Sequence, residues 1–288
     1  MAKFLFFPLL PLLLAGAGPP RIERDLPYAQ PRNERQLLDI FAPATGTSLP
    51  VVVWVHGGGW MRGGKHEVDH KPSAFVDQGF VFVPVNYRFI PNVKMDTIVR
   101  DVAQAVGWVH AHIAGRGGDP NRIFLMGHSA GAQLAALLCT DTRYLEAEKV
   151  PRQAIKGCVP VDGDTYDVPL QIATATARRK SLKQPPPKMG HAEKFGNPEQ
   201  QRELSAVNHV ASHRGIAAFL ILHVADHTDT SAQAHRLWAA LDQAGIPATL
   251  FGAEETDHVK LDRELGLAGH PATQALFAFT ARILAGGR

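Results

Sequence analysis

The stretch that decides the fold runs Ile123-Phe124-Leu125-Met126, then Gly127-His128-Ser129-Ala130-Gly131, then an apolar run to Leu138. Four apolar residues before a glycine read as a buried strand, and Ala130 to Leu138 reads as a helix. Only Ser129 and its neighbours remain to turn the chain from one to the other. Such a turn holds the serine in strained backbone, and side chains two residues to either side would collide, so G-x-S-x-G has a steric cause. The helix amino terminus aims backbone N–H groups and a positive dipole end at negative charge developing beside the serine.

Working outward, short β-rich runs alternate with helical ones. Strands are expected at Leu37 to Phe41, Val51 to His56, Phe80 to Val85, Ile155 to Val161, Ala217 to His223 and Ala248 to Phe251. Between them Asp96 to Ile113 is amphipathic, with Ile98, Val102, Val106, Val109 and Ile113 on one face. Further helices are expected around Ala232 to Ala244 and at Pro271 to Leu284, the last with proline in its first turn. This alternation predicts α/β architecture: a mostly parallel central sheet with helices on both faces. Residues 165–215 break the rhythm. They are polar, contain Pro185-Pro186-Pro187 and Arg178-Arg179-Lys180, and are read as an inserted lid or cap segment.

The strand at Val51 ends in His56-Gly57-Gly58-Gly59-Trp60. Three glycines let bare backbone N–H groups approach a substrate oxygen. A phosphate cradle is the competing use of such a loop. The spacing of Arg62-Gly63-Gly64-Lys65 does not fit a P-loop, and no G-x-G-x-x-G occurs.

Composition closes off other classes. The 288 residues carry 30 Lys and Arg against 27 Asp and Glu, a net charge of +3 with no dense basic stripe, so nucleic acid is not expected as a partner. Cys139 and Cys158 lie in apolar runs and are expected as buried free thiols. There is no H-E-x-x-H and no C-x-x-C pair, and His110 and His112 point to different faces of their helix, so no metal is expected. Lys3 followed by apolar Phe4 to Leu14 and then Ala15-Gly16-Ala17 reads as a signal peptide over residues 1–17. The run is too short and too proline-broken for stable membrane insertion. The expected protein is secreted or periplasmic, with residues 18–288 as its folded domain.

At the two glycine motifs the sequence resembles the α/β-hydrolase fold, and more narrowly the esterases and lipases of the hormone-sensitive-lipase type, including bacterial acetyl-xylan and feruloyl esterases. The resemblance runs from about Gln36 to the carboxyl end. It implies Gly58, Gly59 and Ala130 as the oxyanion hole and Ser129 as nucleophile. It further implies an acid and then a histidine, in that chain order. Asp226, after the strand ending at His223, is the expected acid, with Asp229 the alternative. His258 is the expected base, with His270 as fallback. Trp60 and His128 are expected to contact substrate, although Trp60 could equally pack the loop. Asp162, Asp164 and Asp167 are read as turn and lid residues first and as substrate contacts second. The implied activity is hydrolysis of short-chain or aromatic carboxylic esters, small molecules, through an acyl-enzyme and without a cofactor. An arylformamidase-like amide hydrolase and a non-catalytic binding protein on the same scaffold are the alternatives.

Overall fold

A computed structural model describes residues 18–287; the signal-peptide expectation therefore lies outside the described residues. Eight strands form one sheet: β1 (Arg21–Pro27), β2 (Leu37–Ala42), β3 (Leu49–Val55), β4 (Val81–Val85), β5 (Gly118–His128), β6 (Ile155–Val161), β7 (Ala218–Val224) and β8 (Ala248–Ala253). Their spatial order is β1-β2-β4-β3-β5-β6-β7-β8. β1 and β2 run antiparallel to their neighbours, and every pairing from β4 through β8 is parallel.

The helices are α1 (Lys71–Asp77), α2 (Met95–His112), α3 (Ala130–Thr140), α4 (Arg143–Ala147), α5 (Val168–Ser181), α6 (His191–Phe195), α7 (Pro198–Glu203), α8 (Thr228–Gln243), α9 (His258–Glu264) and α10 (Pro271–Leu284). Strand alternation divides the core in two. Val51, Val53 and Val55 pack with Ile123 and Leu125 under α2, α3 and α8, whereas Val52 and Trp54 pack with Phe124 and Met126 under α1, α9 and α10. Both faces of the central strands are thus apolar and covered, which explains why β3 and β5 read as continuous rather than alternating hydrophobic runs.

Residues 165–215 carry α5, α6 and α7 with short 3-10 turns, tied back to the body through Gln133 of α3 and Gln233 of α8. Both cysteines are buried free thiols. No helix among the described residues is long and apolar enough to cross a membrane. Outside residues 165–215, four strands and helices escape the sequence reading. β1 is mostly polar and charged, being an exposed edge strand, and α1, α4 and α9 are too short for a periodic signal.

Candidate active site

The site forms at the carboxyl ends of β3, β5 and β6. Ser129 follows β5 directly and caps α3 with φ of 54° and ψ of −117°, in the left-handed half of backbone space that a non-glycine residue occupies only under constraint. The constraint is packing: a Cβ on Gly131 would stand 2.0 Å from the Val55 carbonyl oxygen, and one on Gly127 would stand 2.4 Å from the Gly131 carbonyl oxygen. Only glycines let β5, β3 and α3 close this tightly. The Ser129 N–H donates to the Val161 carbonyl at 2.9 Å, which fixes the elbow to the end of β6.

The glycine loop expected to form the oxyanion hole faces it: a Cβ on Gly57 would lie 3.2 Å from that of Ser129. Gly58 has φ of +108°, and a Cβ there would lie 2.2 Å from the Arg62 carbonyl oxygen. The Tyr87 hydroxyl donates to the carbonyls of His56 at 3.0 Å and Gly57 at 3.3 Å. The same phenol ring stacks on His56 at 4.3 Å. Anchoring these carbonyls holds the loop in shape, with Gly57, Gly58 and Gly59 partly exposed for an incoming oxygen.

His258 opens α9, and its Nδ1 lies 2.6 Å from Oδ2 of Asp162. A carboxylate only accepts, so Nδ1 carries the proton and Nε2 is the nitrogen free to take one. Asp162 is fully buried immediately after β6; its other oxygen accepts the Val224 N–H at 2.8 Å. Burial would raise its pKa, but hydrogen bonds from His258, Thr230 and Val224 outweigh that and hold the carboxylate ionised. Burial works against the His258 imidazolium as well. The hydrogen bond and charge of Asp162, together with the charges of Asp164 and Asp262, overcome it and raise the histidine pKa.

This corrects the expected acid. Asp226 is exposed beyond the end of β7 and makes no side-chain hydrogen bond or ion pair among the described residues. Asp229 is buried, but Arg178 of α5 holds it at 2.6 Å, with Gln171 beside it. Because β6 lies between β5 and β7, the residue after its end stands beside the elbow, whereas β7 is one strand farther away. The order serine, aspartate, histidine survives, with the aspartate one strand earlier. The fallback His270 caps α10 and contacts Glu264, away from the serine turn.

Neither residue expected to contact substrate is free to do so with its polar atoms. The Trp60 ring is 2% exposed, donates its indole N–H to Gln133 and meets the Phe195 ring edge-on at 5.0 Å. It packs the oxyanion loop against α3 and α6. His128 is buried too. Its Nε2 donates to the His258 carbonyl at 2.9 Å, and burial lowers its pKa to about 4, so the ring is neutral. Its Nδ1 faces Asp262 at 3.6 Å, and Asp262 pairs with Lys71 at 2.9 Å. Lys71 is itself wholly enclosed, with Nζ 4.8 Å from the centre of the Trp54 ring. His258 is therefore held twice: by Asp162 through its side chain and by His128 through its backbone. No sequence signal marks Lys71 or Asp262, since they lie 191 residues apart.

Asp141, Glu203 and His209 come within reach of one another, the grouping that could suit a metal ion. The Arg143 guanidinium binds Asp141 at 2.7 Å and also binds Glu203, so the carboxylates are satisfied internally.

Comparison with known proteins matches residues 38–241 to the BD-FAE family model. Kynurenine formamidase of Salmo salar is 30% identical over 270 residues, covering 88% of this chain and 80% of that protein. Esterase LipQ of Mycobacterium tuberculosis is 28% identical over 267 residues, covering 88% of this chain and 61% of LipQ. The chain spans between 25% and 80% of the length of the curated relatives it matches. Among solved structures, a truncated carbohydrate esterase from gut microbiota superimposes with a TM-score of 0.72 at 18% identity, over 91% of this chain and 96% of that one, a likeness of fold.

Proposed function

The chain belongs to the BD-FAE family of α/β-hydrolase esterases, and from that premise we propose that it is a serine carboxylic-ester hydrolase acting on short-chain or aromatic esters. The observation that carries the reading is the 2.6 Å hydrogen bond between His258 and buried Asp162, beside a serine on a strained strand-to-helix turn.

In the first step His258 Nε2 takes the Ser129 proton as Oγ bonds to the ester carbonyl carbon. The carbonyl electron pair moves onto oxygen, where the N–H groups of Gly58, Gly59 and Ala130 receive it. Asp162 keeps the imidazole in the Nδ1–H form and stabilises the imidazolium. The tetrahedral intermediate collapses as His258 returns the proton to the departing alcohol. Water then attacks the acyl-serine through the same histidine, releasing the acid and restoring Ser129.

Formamide cleavage is the second reading, favoured by the similarity to the salmon formamidase over most of both chains. The test is a p-nitrophenyl ester series, acetate through palmitate, run beside N-formyl aryl amides with wild type, Ser129→Ala and His258→Ala. Short-ester turnover lost by at least about a thousandfold in both variants is expected. Turnover surviving in Ser129→Ala would overturn the mechanism, and turnover of formamides alone would move the substrate to the amide. The amino-terminal run that reads as a signal peptide supports a secreted or periplasmic site of action, checked by fractionating the native host.

A further inference from the structure

A cavity of about 590 Å³ opens beside the oxyanion loop, on the flank built by the chain after β4 and by α6 and α7. Ile90, Val93, Met95, Met189 and Phe195 give it apolar walls, and Lys194 stands among them. Its wall is fastened to the loop, because the Ile90 N–H donates to the Trp60 carbonyl at 3.0 Å. Lys194 Nζ lies 3.6 Å from the point a Cβ on Gly59 would occupy and 5.3 Å from the centre of the Trp60 ring. The ammonium therefore marks the boundary between the catalytic loop and the cavity.

The acids of this wall are already engaged. Asp96 accepts from Arg100 at 2.8 Å and from the Tyr144 hydroxyl at 3.1 Å; Glu203 binds Arg143. Glu193 accepts the Gly190 N–H at 2.8 Å. Lys194, half-buried, has no carboxylate within the 4.0 Å of an ion pair among the described residues. Asp164 and Glu193 act on it only through longer-range charge, and burial still depresses its pKa. A cation withdrawn from water without a contact partner is costly, and such a group at a cleft is one whose partner a ligand can supply.

We propose that this cavity is the subsite for the non-reacting arm of the substrate, and that Lys194 selects esters whose arm carries a carboxylate. The proposal rests on the esterase reading above. With the scissile carbonyl oxygen at Gly58 and Gly59, an arm leading away over Gly59 passes the ammonium before reaching the apolar walls. A single ammonium without a contact partner matches a singly charged carboxylate; a phosphate dianion calls for several convergent donors. Lys94 on the exposed rim carries the same sign and favours approach of an anion.

Two substrate pairs test it, with the charge placed on either side of the ester: monomethyl against dimethyl glutarate, and 3-carboxyphenyl acetate against phenyl acetate. Wild type is expected to prefer the charged member of at least one pair in kcat/KM. Lys194→Met should lower that charged-to-neutral ratio at least tenfold, chiefly through KM. Lys194→Arg should keep the preference, and Lys194→Glu should invert it. A ratio unchanged by Lys194→Met in both pairs, or no preference for the charged member in wild type, overturns the proposal. Wild-type turnover of phenyl acetate is read separately. With that turnover intact a flat ratio removes only the subsite, whereas its absence removes the esterase reading and the subsite together.

Discussion

The turns that follow β6 and β7 look alike in sequence, each placing an aspartate just past an apolar strand, and they have opposite fates. Asp162 is buried, accepts the Val224 N–H and binds His258. Asp226 projects into solvent. The difference lies in the neighbours. The end of β6 is flanked by the serine elbow on one side and β7 on the other, so a carboxylate there meets convergent donors and a low dielectric. The end of β7 faces the elbow across an intervening strand. A triad acid is thus chosen by which strand end adjoins the nucleophile and by who donates to it.

The sharpest way to break this comparison is to exchange the two aspartates. Asp162→Asn should lower kcat by about a thousand- to ten-thousandfold, because the amide stabilises neither the Nδ1–H tautomer nor the imidazolium. Asp226→Asn should stay within about threefold of wild type, as an exposed group without partners. Equal losses in steady-state kinetics would return Asp226 to candidacy.

The second way probes the support beneath the histidine. Lys71→Met leaves Asp262 without its enclosed partner and is expected to destabilise the fold by about 3–5 kcal/mol, read by denaturant unfolding. The double variant Lys71→Met with Asp262→Asn removes both charges and should recover most of that loss. It should also shift the acid limb of kcat/KM to lower pH, because the Asp262 charge helps raise the His258 pKa. A double variant as unstable as the single one would deny the pairing.

The smallest effect concerns pH in the wild type. His258 must be neutral to accept the serine proton, and its pKa is raised above the ordinary 6.5 because the hydrogen bond and charge of Asp162 outweigh burial. A raised pKa keeps the imidazolium to higher pH, so activity should climb with a midpoint above 6.5. A midpoint well below that value would mean that burial dominates and that Asp162 is not the partner.

Most of the fold was legible in the sequence for a physical reason. Parallel strands buried on both faces, such as Val51 to Val55 and Ile123 to Met126, are continuous apolar runs, and helices of fourteen or more residues such as α2 and α10 repeat their pattern several times. The serine turn and glycine loop were legible because backbone sterics force glycine at fixed offsets. The acid was not, because its identity depends on strand order in space and on donors from β7, neither of which local spacing encodes. The reading of Asp162 as a turn residue had its position right and its role incomplete: with φ of 49° it does turn the chain, and that turn is what aims its carboxylate. His128 was misread for a related reason, and Trp60 takes the packing role that was left open for it. Adjacency to a functional residue in sequence says nothing about which way a side chain faces.

The two contacts that hold His258 and the one that anchors its helix at Asp262 have a further consequence, in the order of assembly. The bond from Asp162 to His258 spans 96 residues, that from His128 to His258 spans 130, and that from Lys71 to Asp262 spans 191. The seven-residue helix α9, too short to persist alone in water, depends on partners from across the chain for its place. The sheet can therefore be complete while α9 is still undocked, and a nascent chain is inert until nearly all of it has been made and closed. Recovered activity during refolding is therefore expected to track the docking of α9 and to lag behind the burial of the strands.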